Sequence, residues 1–166
     1  VFQCQLAEDS NKHKKKLRGH KLLDVKLDGV RILSFIDVEN NTVKQYTRSG
    51  IETIKFPHIT NLLHKLIPYL SQSIVLDGEI LAGSFQELME EFNKKDSNTT
   101  SSKLGIFDII PYHDFINGSC DIPQIDRHAI LTNMTGLFQS LCEDQVYVIP
   151  KTEVDLDDDD GIKEMN

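Results

Sequence analysis

The sequence predicts an α+β fold, a mostly antiparallel sheet with helices packed on it. Three observations predict it. Short runs rich in β-branched and aromatic residues are separated by Asp-Gly, Asn-Asn and Ser-Gly breaks, as strands joined by tight turns are. Between and after these runs, apolar residues recur at helical spacing. A chain of 166 residues, 39% hydrophobic and 27% charged, can bury a core without help from a metal or disulfides.

In chain order, residues 22–27 read as a short apolar-rich strand, Asp28-Gly29 as a hairpin turn, and residues 30–37 as its partner strand. Glu39-Asn40-Asn41 breaks the pattern before an alternating strand over residues 42–47, and Arg48-Ser49-Gly50 is the next turn. Pro57 opens a helix with Ile59, Leu62, Leu63, Leu66, Ile67 and Leu70 on one face, and Pro68 should kink or end it. Residues 73–82 form a strand interrupted by Asp77-Gly78-Glu79. Ser84 caps a second helix, with Glu87 completing a capping box and Phe85, Leu88, Met89 and Phe92 on one face. The polar residues 95–102 read as a mobile loop, and the apolar run 104–110 as a buried strand. Ile130, Met134, Leu137, Phe138 and Leu141 mark a third helix, followed by a last strand over residues 146–149.

Several classes are excluded. Cys4, Cys120 and Cys142 stand singly with no CxxC pair, against both a disulfide scaffold and a zinc site. The six histidines form no closely spaced ligand pair. No apolar run approaches the length of a membrane span, roughly 18 residues. The N-terminus lacks the basic and apolar regions of a signal peptide and does not begin with Met, so an intracellular piece of a longer chain is expected, in the cytoplasm of a host cell or in a nucleus. The net charge of −8 conceals segregation: residues 12–21 are strongly basic and residues 155–160 strongly acidic. Either run taken alone is ordinarily a solvated loop, but a phosphate backbone would feel the basic one locally, through Lys14, Lys15 and Lys16 above all.

The chemistry concentrates in Lys26-Leu27-Asp28-Gly29-Val30-Arg31. A lysine in an apolar strand, beside a tight bend and an arginine, is expected to be half-buried. Such an amine either pairs with an acid or loses its proton and becomes a nucleophile. A free lysine, at pKa ~10.4, is neutral only about once in a thousand near pH 7, so burial or a neighbouring cation such as Arg31 would have to favour the neutral form.

Lys-x-Asp-Gly-x-Arg resembles the nucleotidyl-transfer motif shared by ATP-dependent DNA ligases and mRNA capping enzymes. Four fixed positions recur by chance on the order of once in several hundred chains of this size. Singly, the other motifs are commonplace: a surface acid in a turn, a core phenylalanine. Their joint order carries the resemblance. Arg48-Ser49-Gly50 resembles the ligases' Arg-x-Gly turn, Asp77-Gly78-Glu79 their Asp-Gly-Glu, and Phe107-Asp108 their aromatic-Asp strand. Arg127 resembles a further arginine, and Gln5-Leu6-Ala7 the segment ahead of the lysine. The likeness runs from Gln5 to about Arg127.

The resemblance implies an ATP-grasp-like nucleotidyltransferase (adenylylation) domain over residues 1–166. Lys26 would attack the α-phosphorus of ATP, expel pyrophosphate and carry AMP as a phosphoramidate. The AMP would pass to the 5′-phosphate of a nick in double-stranded DNA, and the 3′-hydroxyl would displace it, in replication, repair or recombination. Asp24 would touch the base, Arg31 and Arg48 the ribose or phosphates, Glu79 the ribose or a Mg²⁺ ion, and Phe107 would stack on adenine. A monomer is expected. Arg31 speaks against the NAD-dependent ligases, Asp28 and Arg31 against RNA ligases. The Thr47-Arg48-Ser49-Gly50 turn and the Gln-Leu-Ala segment favour a compact viral or phage DNA ligase over a capping guanylyltransferase. A non-catalytic nucleotide- or nucleic-acid-binding remnant is the alternative from another class. The pattern departs from the family in lacking Glu-Gly-x-x-x-Lys and Lys-x-Lys, together with the OB-fold domain. Truncation is therefore expected, and weak activity of residues 1–166 alone.

Overall fold

A computed structural model of the chain describes Cys4, Leu6 and residues 18–93 and 102–157, without the side chains of Phe85, Glu91 and Phe92. Two alternating strands, β2 (Val30–Asp37) and β5 (Ile74–Leu81), pair antiparallel from Val30 opposite Ile80 to Ile36 opposite Ile74. On the other edge of β2 lies β3 (Thr42–Thr47), reached by a turn in which Asn41 takes φ 54° and the Asn40 N–H donates to the Asp37 carboxylate at 3.1 Å. A short β4 (Glu52–Thr53) continues outward. Beyond β5 come β6 (Lys103–Pro111), antiparallel, and β7 (Val146–Val148), parallel to β6. The order β4-β3-β2-β5-β6-β7 makes a six-stranded sheet, and β1 (His20–Leu23) pairs with β8 (Thr152–Asp155) in a separate antiparallel ribbon. The expected α+β class with mostly antiparallel pairing is what is found.

Alternation along β2 and β5 gives the sheet two different faces. Ile32, Ile36, Ile74, Leu76 and Ile80 point to one side, where α1 (Pro57–His64), α2 (Phe85–Asn93), α4 (Gln124–Asn133) and α5 (Thr135–Cys142) cover them with Leu63, Leu88, Leu131 and Phe138. The opposite face is apolar only at one end. There Phe35 stacks 4.9 Å from Tyr46 and edge-on to Tyr112 and Phe115, both on α3 (Tyr112–Asn117). The other end of this face carries Arg31, Asp77 and Glu79, on the same side as Leu33 and Val75 by alternation.

Four sequence expectations change. The Asp28-Gly29 hairpin does not form: both edges of β2 are taken by β3 and β5, so the segment before β2 finds no edge to join, and β1 pairs with β8 instead. The helix from Pro57 ends at His64, and Ile67–Tyr69 makes only a 3₁₀ turn, because Pro68 lacks an N–H and crowds the preceding turn. The single helix expected over residues 130–141 is two, broken at Met134 ahead of the weak helix formers Thr135 and Gly136. The acidic run begins in a strand, with Val154 and Leu156 both buried two residues apart. The Ser84 cap is present, its hydroxyl accepting the Glu87 N–H at 3.1 Å. Residues 95–101, and the basic Lys14, Lys15 and Lys16, lie outside the described residues.

Candidate active site

Three of the candidate residues, Arg31, Arg48 and Glu79, meet along one row of the sheet. Arg31 stands directly opposite Glu79 across β2 and β5, Glu79 opposite Gly105, and Gly105 opposite Tyr147. On the other side, Arg48 follows Thr47, the last β3 residue paired with β2, which brings its backbone beside Arg31. It lies exposed in the expected turn, closed by the Gly50 N–H on the Thr47 carbonyl and by Gly50 at φ 83°, and its carbonyl accepts from the Cys4 thiol.

Arg31 is the most committed member. Its guanidinium donates to both Asp77 oxygens, Nε to Oδ1 at 2.9 Å and Nη2 to Oδ2 at 2.6 Å, a bidentate fork. The hydrogen bonds to Asp77 raise the Arg31 pKa further and keep it charged. Burial pushes the Asp77 carboxyl up while Arg31 pulls it back. Arg31 also lies 5.5 Å from the centre of the Phe107 ring, a cation–π distance. Phe107 reaches that position because β6 bulges: Asp77 faces Asp108 and Gly78 faces Ile106, so Phe107 is the extra residue. It is half-exposed on the functional face, not a core residue.

Glu79 is half-buried. Burial lifts its carboxyl above the ordinary range, Arg31 opposes that rise, and the Gly29 N–H donates to it. Gly29 is a glycine for reasons of space: an added Cβ would lie 2.2 Å from the Ile80 carbonyl oxygen. Gly29→Ala is therefore expected to lose about 1–3 kcal/mol of stability in urea unfolding, the usual range for forced overpacking. Parental stability would show that the crossing opens freely.

Lys26 itself corrects an expectation. It lies exposed in the irregular residues 24–28 that join β1 to β2, not half-buried in a strand, since this span leaves both sheets. Arg31, the cation expected beside the amine, is engaged with Asp77 and Phe107. Asp24, two residues before Lys26, accepts from the Lys151 ammonium at 2.5 Å.

Sequence reasoning missed three groups. Asp77 is named only as a member of the Asp-Gly-Glu motif, with no role of its own, yet it is the buried partner of Arg31. Asp108 is the partner of Arg127, whose Nε and Nη2 reach its two oxygens at 2.9 and 3.0 Å and whose Nη1 donates to the Ile122 carbonyl. Acids within apolar strands, each with a basic residue elsewhere, were the available signal. Lys151 gave none. No group of three or more metal-ligating side chains occurs among the described residues. Glu79 supplies one carboxylate, a donor set that suits Mg²⁺ only when substrate phosphates and water complete the shell.

A family model described as "ATP dependent DNA ligase domain" matches residues 3–165. The chain belongs to this family. The solved structure named "Pmar-Lig_Pre." is 32% identical, with a TM-score of 0.90 over 98% of this chain and 38% of its own. The chain thus spans well under half the length of that relative. The ATP-dependent DNA ligase from bacteriophage T7, solved with ATP, is 20% identical with a TM-score of 0.65, covering 89% of this chain and 52% of that one. A Naegleria gruberi RNA ligase solved with ATP and Mn is 17% identical at 0.54, over 85% and 38%. These two likenesses are of fold. No curated protein matches. Among the described residues, no helix of the ligase domain is long and apolar enough to cross a membrane.

Proposed function

We propose that this ligase domain transfers AMP from ATP, through Lys26, to the 5′-phosphate of a nick in double-stranded DNA. The single observation that carries the reading is the sheet row itself. Arg31, Glu79 and Phe107, drawn from three separated motifs, share one solvent-facing end of the sheet, and Gly29 ties the Lys26 segment to it. In the first step the Lys26 amine bonds to the α-phosphorus and the bond to pyrophosphate breaks. Arg48 binds phosphate or ribose, Phe107 offers a ring for the base, and Glu79 would hold ribose or a divalent metal ion. Mg²⁺, when bound, neutralises phosphate charge. The nick's 5′-phosphate oxygen then displaces Lys26, and the 3′-hydroxyl displaces AMP. Lys14, Lys15 and Lys16 would contact DNA phosphates. The protein is proposed to act as a monomer inside the cell.

The test is labelling of the full-length gene product with α-labelled ATP or GTP, with Mg²⁺. Covalent label from ATP, chased onto nicked DNA, is expected. Label from GTP alone would indicate a capping guanylyltransferase, and no label from either a binding module.

A further inference from the structure

The two fixed points flanking Lys26 are unequal. On its C-terminal side, the Gly29 amide sits on Glu79, within the machinery already described. On its N-terminal side, the β1–β8 ladder ends with Leu23 opposite Thr152, and the next facing residues are Asp24 and Lys151. The Lys151 side chain is only 3% exposed, and its ammonium meets the Asp24 carboxylate, itself 37% exposed, at 2.5 Å. Burying a long cationic side chain sacrifices hydration and rotamer freedom, and a paired carboxylate is what offsets that. The contact spans 127 residues of sequence. The Lys151 charge also acts on Asp77 beneath Arg31 and on His128 of α4. So the C-terminal ribbon reaches into the candidate site at one point, and that point is two residues from the amine.

We infer that Lys151 is a positioning residue for adenylylation: paired with Asp24, it anchors the exposed segment that presents Lys26 to the nucleotide. The inference rests on the reading of Lys26 as the adenylylated amine. An irregular, solvent-exposed segment pinned at both ends holds its side chain in a narrower range than one pinned at a single end. Attack on phosphorus is sensitive to that range.

The test is single-turnover formation of the lysyl-AMP bond by the full-length protein, comparing Lys151→Met, Asp24→Asn and the double variant, with Lys26→Ala as control. Each single change is expected to slow the rate at saturating ATP by about 10- to 100-fold, as misplacement by an ångström does, and in Lys151→Met, which leaves the base-facing Asp24 in place, KM for ATP should stay nearly unchanged. The double variant should be no slower than the worse single one, because the two side chains act as one unit. If Lys151→Met does not fold, Asp24→Asn removes the charge of the same ion pair from its more exposed side. A parental rate in either single variant, multiplied losses in the double, or a loss seen only in KM in Lys151→Met would overturn the inference. Label that vanishes in Lys26→Ala but is unchanged in Lys151→Met would overturn the role of Lys151 alone. Label that survives in Lys26→Ala would remove both readings.

Discussion

Replacing Asp77 by alanine is expected to lower stability by about 3 kcal/mol, the low end of what breaking a buried ion pair costs, and to suppress adenylylation with it. The Arg31 and Asp77 side chains are 17% and 7% exposed, so water replaces little of the lost interaction. The alanine takes away the carboxylate that accepts both arms of the fork, while the guanidinium stays largely buried. The pair is not thereby a large net source of stability. Two charges were desolvated to make it, and the penalty appears when only one is removed. The double variant Arg31→Met with Asp77→Leu should accordingly regain much of the lost stability in urea unfolding while remaining inactive. That split separates the pair's structural role from its chemical one. An Asp77→Ala protein with an unchanged urea midpoint would mean that solvent reaches the guanidinium after all.

What could be read from the sequence, and what could not, follows from how far each cause reaches along the chain. The strands over residues 30–37, 42–47 and 104–110 declare themselves, since each carries its β-branched, apolar character locally. Asp28-Gly29 misleads for the opposite reason. The dipeptide favours a hairpin, but a hairpin also needs a vacant edge on its partner, and β2 has none. The glycine is instead required by the Ile80 carbonyl, a neighbour that no local pattern announces. The candidate site divides in the same way. Lys26, Arg31, Arg48, Glu79 and Phe107 are named by the ordered motifs, and register brings Arg31, Arg48 and Glu79 to one row. The groups that hold them, Asp77 under Arg31 and Lys151 against Asp24, depend on pairings across the fold: an acid in an apolar strand marks Asp77 as unusual without naming its partner, and Lys151 has no local signature at all. The acidic run was read by its charge, whereas the buried Val154 and Leu156 decide its conformation.

Lys26→Arg is expected to abolish covalent AMP labelling, by at least about 10³-fold as loss of a nucleophile does, without destabilising the protein. The lysine is exposed and outside every strand, so the folded state rests on nothing that the substitution removes. Surface changes of this kind stay within about 0.5 kcal/mol. Arginine also keeps the positive charge that would draw a triphosphate, so ATP binding, measured by equilibrium titration, should survive. What it lacks is an available lone pair: the guanidinium stays protonated and its electrons are delocalised, so no bond to phosphorus can form. Lys26→Ala should lose the label equally and bind ATP somewhat more weakly. The contrast with Asp77→Ala is the diagnostic one, since there stability and labelling fall together and here only the covalent step fails. Label at the parental level in Lys26→Arg would place the nucleophile on another side chain and leave the Lys-x-Asp-Gly-x-Arg stretch as a binding element alone.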